Sequence, residues 1–297
     1  MTYVVGYGPR NDDRSALELA FQFARSHPDT VVAVSVVPQG WGTPLAGGVD
    51  REYEEWAAGE GQRSAELAVA DFAHHPGLDA EAVWITGRSV PAALIDEATA
   101  QDAALIVVGS AEEAAPGRVR LTSKTDRLVH SSPLPVAIAP RSYRTTSRVT
   151  RVTVGFRDDD ASWSLLDRVA GLARASAARM RVVTFLVNPA RRPVTTDVSR
   201  AQAQVIDVWA AQAVAAQAEA VAHLRTLGFA DDEVEHGISA AADWGAAVSS
   251  VGWDDGDVLV VGSSSTHRLA QVFLGSSASK ILRNAPVPVI VVPGTGA

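Results

Sequence analysis

Residues 105–140 read LIVVGSAEEAAPGRVRLTSKTDRLVHSSPLPVAIAP, and residues 258–293 read VLVVGSSSTHRLAQVFLGSSASKILRNAPVPVIVVP. At an offset of 153 residues the two stretches align without a gap, and 11 of 36 positions are identical. The shared positions include Gly109/Gly262, Ser110/Ser263, Ser123/Ser276, Pro133/Pro286, Pro135/Pro288 and Pro140/Pro293. A second match opens each half, YVVGYG from Tyr3 and VTVGFR from Val152. A period this long marks a duplicated domain, because stacked solenoid repeats run about 20–50 residues. The 297-residue chain accommodates two such domains, each long enough to bury its own core. The expected bounds are 1–141 and 148–297, with RSYRTTSR, Arg141–Arg148, as the linker.

Each half alternates short β-branched runs with longer helical patterns. In the first, strands are expected at Tyr3–Tyr7, Thr30–Val37, Ala80–Thr86, Ala104–Gly109 and Pro135–Ala139. These runs are apolar on both faces, as a parallel sheet covered on both sides requires. Helices are expected at Asp12–Ser26, Asp50–His74, Val90–Ala100 and Thr122–Val129. Ala16, Leu19, Ala20 and Phe23 show the i, i+3, i+4 spacing of a core-facing stripe. The second half repeats the pattern, with strands near Arg151–Phe156, Met180–Val187, Glu233–Gly237, Asp257–Gly262 and Pro288–Val292 and a long Ala-rich helix over Asp197–Leu227. Five strands and four crossover helices per half make the expected fold α/β: two tandem doubly wound parallel five-stranded sheets, Rossmann-like, with helices on both faces. Trp56, Trp163 and Trp209 fall in helical patterns and are expected to pack on the sheets.

Composition excludes several classes of function. The formal net charge is −8; residues 1–144 hold 12 basic and 19 acidic side chains, and residues 145–297 hold 14 and 15. Neither half has the basic excess that phosphate neutralisation on nucleic acid demands, so no nucleic-acid partner is expected. No apolar stretch approaches the length that spans a bilayer, and no leader pattern opens the chain, so a cytoplasmic location and no membrane partner are expected. With no cysteine, disulfides, thiolate metal sites and cysteine nucleophiles are absent. The seven histidines are scattered, and Asp158–Asp160 reads as a helix start rather than a metal cluster. No Ser-His-Asp order, G-x-S-x-G elbow or Walker lysine occurs, so no catalytic residue is assigned.

Ligands of doubly wound sheets bind beyond the carboxyl ends of the strands, where the strand order reverses. In the second half Gly262 ends the fourth strand, a small-residue loop with Ser263, Ser264, Ser265 and Thr266 follows, and Gly275-Ser276-Ser277 opens the last helix. Free amides and the positive dipole end at such a helix start attract an anion. The same residues also read as a serine-capped helix start with no ligand.

Here the chain resembles a tandem universal stress protein over nearly its whole length. The family's ATP-binding members show G-x-x-G, nine residues, then G-[S/T]; the second half gives Gly262-x-x-Ser265, nine residues, Gly275-Ser276. The resemblance implies an ATP or other adenine-nucleotide site, with Mg²⁺, in the second half. Gly262, Ser263, Ser265, Gly275, Ser276 and Ser277 would hold phosphate, and Val154 and Phe156 would border the base. The corresponding first-half positions are Gly109, Glu112, Thr122 and Ser123. Glu112 and Glu113 bring negative charge where phosphate would sit, with Arg118, Arg120 and Lys124 as partial offsets, and this site reads as degenerate. The family's nucleoside-binding Asp after the first strand is replaced by Gly8 and Arg157; Asp158 would serve only if the turn shifts.

The role implied is a cytoplasmic stress-response sensor or regulator, with at most slow ATP hydrolysis. The competing reading is a nucleotide-independent scaffold with degenerate sites and an unidentified protein partner. In the family the final strand often pairs across a homodimer, so Pro135–Ala139 and Pro288–Val292 are candidate edges; in a tandem chain they would equally serve to pair the halves. An enzyme of the wider nucleotide-binding superfamily would need a catalytic motif that the chain does not show.

Overall fold

The computed structural model describes residues 2–8, 13–39, 47–187, 196–263 and 274–294. Its described residues divide into two compact units that meet in sequence between Arg148 and Val149. The first contains β1 (Thr2–Gly6), α1 (Ser15–Ser26), β2 (Thr30–Pro38), α2 (Gly47–Phe72) and β3 (Ala80–Gly87), then α3 (Val90–Ala100), β4 (Ala103–Gly109), α4 (Ser123–Ser131) and β5 (Val136–Ala139). Its strands are parallel in the order β3-β2-β1-β4-β5. The second contains β6 (Arg151–Gly155), α5 (Asp160–Ala175), β7 (Arg179–Val187), α6 (Thr196–Thr226) and β8 (Val234–Ala241), then α7 (Trp244–Ser249), β9 (Asp257–Gly262), α8 (Ser276–Asn284) and β10 (Val289–Val292). Its order is β8-β7-β6-β9-β10, again parallel. Each unit is therefore a doubly wound sheet whose strand order reverses beside its first strand, between β1 and β4 and between β6 and β9. Right-handed crossovers place the first two helices of each unit on one face and the last two on the other.

The strands form where the apolar runs lie because both sheet faces are covered. Val4, Val5, Val31, Ile106 and Val107 are fully buried in the first unit, as are Val154, Val182, Leu259 and Val289 in the second. Helix α1 goes further than its sequence pattern: beyond Ala16, Leu19, Ala20 and Phe23 it also buries Leu17, Phe21, Gln22 and Ala24. Residues 141–148, read as a linker, account for part of this. They belong to the first unit and lie along α1, with the Tyr143 hydroxyl donating to Gln22 Oε1 (2.8 Å), Arg25 Nη2 to the Thr145 carbonyl (2.9 Å) and Arg148 Nη2 to the Ser26 carbonyl (2.8 Å).

The end of α2 covers the rest. His75 stacks on Phe21 with ring centroids 4.2 Å apart, and its Nε2 lies 3.4 Å from Glu18. Burial lowers the imidazole pKa below its ordinary value of 6.5, although Glu18 opposes the shift. A lowered folded pKa means that the unfolded chain takes up the proton first. This contribution to stability is fully present above pH 6.5 and is lost as pH falls from there toward the folded value. Thermal unfolding followed against pH should show this loss in the first unit, and His75→Phe should flatten that part of the profile.

Two tryptophan expectations are corrected. Trp56 is 45% exposed and Trp209 57% exposed, so neither packs on a sheet. In α2 that contact is made by the small stripe Ala57, Gly61, Ser64 and Ala68, which is buried. A Cβ on Gly61 would sit 2.4 Å from Trp84 of β3, so only glycine permits this approach of helix to sheet. Trp163 meets the expectation better, packing edge-on against Phe156 at 5.2 Å. Among the described residues no helix is long and apolar enough to cross a membrane, and no group of three potential metal ligands occurs.

Candidate functional site

In the second unit the chain leaves β6 at Gly155 and β9 at Gly262, on either side of the reversal in strand order. A cleft of ≈ 460 Å³ opens there. Its polar floor comprises Gly262, Ser263 and the start of α8 at Gly275–Ala278; its apolar wall includes Phe156, Leu165, Phe185 and Trp244. Of the site residues expected from sequence, Gly262, Ser263, Gly275, Ser276, Ser277 and Phe156 meet in this one cleft. Val154 does not line it: two residues earlier on the same face of β6, it is completely buried. Ser265 lies outside the described residues, as do Ser264, Thr266, His267 and Arg268.

Helix α8 is preceded by Gly275, which has no side chain to cap the first turn, and no acidic residue occupies that turn. The first intrahelical bond runs from the Ser279 amide to the Gly275 carbonyl at 2.9 Å, so the amides of Ser276, Ser277 and Ala278 have no acceptor within the helix and open toward the cleft they line. Among the described residues a Cβ on Gly262 would meet only Leu165 Cδ2, at 3.4 Å, and one on Gly109 only Ala16 Cβ, at 4.0 Å. The described packing therefore does not demand glycine at either strand end. The Ser263 hydroxyl is not available in the way sequence suggested. It is buried, donates to the Val292 carbonyl at 3.3 Å and accepts from the Gly294 amide at 3.1 Å, tying the strand end to β10.

The carboxylate at this cleft is Asp159 rather than Asp158. Asp158 accepts the Trp163 indole N–H at 3.0 Å and does not line the cleft. Asp159 caps α5, its Oδ1 accepting the Ser162 amide at 2.8 Å, while Oδ2 takes Arg157 Nε at 2.6 Å. Burial alone would raise the Asp159 pKa, but the bonds from Ser162 and the charge of Arg157 outweigh it and hold the carboxyl below its ordinary value. Arg157 also borders the cleft. In the sequence Asp159 belongs to a helix start and Trp244 to no motif; the signal for both is their place just after a strand end.

The first unit has a counterpart cleft of ≈ 530 Å³ bordered by Gly6, Tyr7, Gly8, Trp56, Glu60, Gly109, Ser110, Glu112 and Thr122. Here the equivalent of Gly275 is Thr122, and its hydroxyl accepts the Thr125 amide at 3.0 Å, capping α4. The loop after β4 is folded on itself: the Ala111 amide donates to the Arg120 carbonyl at 2.9 Å and the Arg120 amide to Ser110 Oγ at 2.8 Å. Glu112 lines this cleft and Glu113 does not, so one negative charge is added there rather than two. Lys124 faces the cleft, whereas Arg118 and Arg120 do not. Ser123 lines a neighbouring cavity instead.

Comparison with known proteins agrees with this architecture. The sequence pattern described as the Universal stress protein family matches residues 1–140 and again 148–293. Universal stress proteins of Mycobacterium tuberculosis and Mycobacterium bovis are 37% identical over 299 residues, covering 99% of this chain and 100% of each relative. Among solved structures, a functionally unknown protein from Pseudomonas aeruginosa superimposes with a TM-score of 0.61 at 16% identity, covering 99% of this chain and 92% of that one. A universal stress protein from Archaeoglobus fulgidus gives 0.60 at 15% identity, covering 98% and 96%. At those identities the likeness speaks for the fold; the family rests on the two sequence matches. The chain belongs to the universal stress protein family and carries two tandem copies of its domain.

Proposed function

We propose that the second unit binds an adenine nucleotide, ATP with Mg²⁺ as first choice, and that the protein acts as a cytoplasmic stress-response regulator whose state this ligand sets. The observation that carries the reading is the uncapped start of α8 opening onto a cleft that Gly262, Gly275, Ser276 and Ser277 line together. Backbone amides there would hold phosphate, with Ser276 and Ser277 adding hydroxyl donors. Phe156 and the apolar wall around it would take the base. Asp159 is the described carboxylate facing a nucleoside. Mg²⁺ would be carried mainly by phosphate oxygens and water. The role proposed is binding, with at most slow hydrolysis.

The two helix starts supply the test. Gly275→Thr copies the Thr122 arrangement and should cap α8 with its own hydroxyl. Phosphate would then compete with an internal hydrogen bond of about 1 kcal/mol, weakening ATP binding roughly five- to tenfold without loss of thermal stability. Unchanged affinity would remove phosphate from the helix start. The scaffold reading draws support from the closed loop of the first unit, and it requires that no nucleotide bind either variant or the parent protein.

A further inference from the structure

We propose that the first unit also has an anion site, displaced from the family's phosphate loop and built to take the phosphate of a small phosphorylated molecule. Beside the first cleft lies a second cavity of ≈ 460 Å³, bordered by Arg88, Ser89, Ser123, Lys124 and Arg127 together with the ends of β2 and β3. The two cavities share Val36, Val37, Pro38, Val90, Pro91 and Lys124, so they are two lobes of one cleft. Their charges are segregated. Among the described residues Glu60 and Glu112 border the first lobe, whereas the second is bordered by three cations and no carboxylate.

None of these cations has an ion pair among the described residues, although fifteen other ion pairs there join an arginine or histidine to a nearby acid. The nearest acid on the same helix, Asp126, faces His130 at 3.7 Å. Three like charges converging on a concave surface repel one another, and a bound dianion relieves that repulsion. Arginine offers the forked donor geometry that matches phosphate, and Ser89 and Ser123 add hydroxyls. The shared apolar border leads into the first lobe, which Tyr7 also borders and where the half-exposed Trp56 offers a ring surface for the remainder of the ligand. A phosphorylated molecule with a ring would lie with its phosphate at Arg88, Lys124 and Arg127 and its ring toward Tyr7, turned away from Glu112.

The site is independent of the nucleotide reading of the second unit, and residue-resolved amide shifts of the full-length chain separate the two. The probes are inorganic phosphate and adenosine monophosphate. Phosphate alone should shift the amides of Arg88, Ser89, Ser123 and Lys124. The nucleotide should shift these and, in addition, Tyr7, Gly8 and Trp56. Arg88→Ser with Arg127→Ser removes two exposed cations that have no ion pair among the described residues, so the chain should fold normally and bind both probes at least tenfold more weakly at these amides. Shifts confined to the second unit, shifts around Ser110–Glu112 without Arg88, or equal affinity in the double variant would each overturn the proposal.

Discussion

Asp257→Asn is expected to destabilise the second unit by about 3–5 kcal/mol while leaving the first unit's transition in place. Asp257 stands at the start of β9 with its side chain 1% exposed, between two arginine side chains each 7% exposed. Arg151 Nε and Nη2 donate to its two oxygens at 2.9 and 2.7 Å, and Arg181 Nη2 donates to Oδ2 at 3.0 Å. The Asp254 amide adds a fourth bond at 3.0 Å. Burial alone would lower the Arg151 pKa, but Asp257, Glu235 and Asp254 reverse the effect and raise it; Arg181, buried beside Arg151, is lowered. Asparagine keeps the shape and removes the charge, leaving two buried guanidinium groups to face only the more exposed Glu235 and Asp254. At the matching register positions the first unit has Thr2, Val32 and Ala103, so it contains no such network. Denaturant unfolding followed with probes in each unit checks this. A shift under 1 kcal/mol would mean that Glu235 and Asp254 suffice as counter-charges.

Gly275→Asp should remove nucleotide binding from the second cleft by a factor of about a hundred or more. A carboxylate at the first residue before α8 would cap the helix itself and set a negative charge against incoming phosphate. At ~4 Å and an effective dielectric near 20, such a pair of charges repels by about 4 kcal/mol, more than enough for that loss. The fold should tolerate the change, because Gly275 has ordinary backbone angles, φ −57° and ψ 155°, and aspartate is a favoured cap. Calorimetric titration with ATP–Mg²⁺ reads the effect, and thermal unfolding confirms that the variant is folded. Retained affinity would place the ligand elsewhere.

Sequence periodicity made the sheets legible because strands covered on both faces leave unbroken apolar runs, as in Leu105–Gly109 and Val258–Gly262. The duplicated Gly-Ser spacing likewise located Gly262 and Gly275–Ser277 on one cleft. Three features were hidden for physical reasons. The stripe Ala57, Gly61, Ser64, Ala68 is small and weakly hydrophobic, so the surrounding glutamates and Trp56 dominated the reading of α2. Arg151 and Arg181 look like solvated strand residues until parallel pairing brings Asp257 between them. Arg88 belongs to a different strand–helix turn from Lys124 and Arg127, and only the folded sheet places all three on one cavity. The Ser263 hydroxyl shows the converse limit: spacing put it at the site, but its bonds to Val292 and Gly294 commit it to the sheet.

The most direct test of the nucleotide reading is an electron-density map of the full-length protein crystallised with ATP and Mg²⁺. The account predicts phosphate density against the amides of Ser276, Ser277 and Ala278, with the base toward Phe156 and the metal held by phosphate oxygens. A second cleft that stays empty at saturating nucleotide, or a nucleotide seated there with its phosphates away from the start of α8, would contradict it.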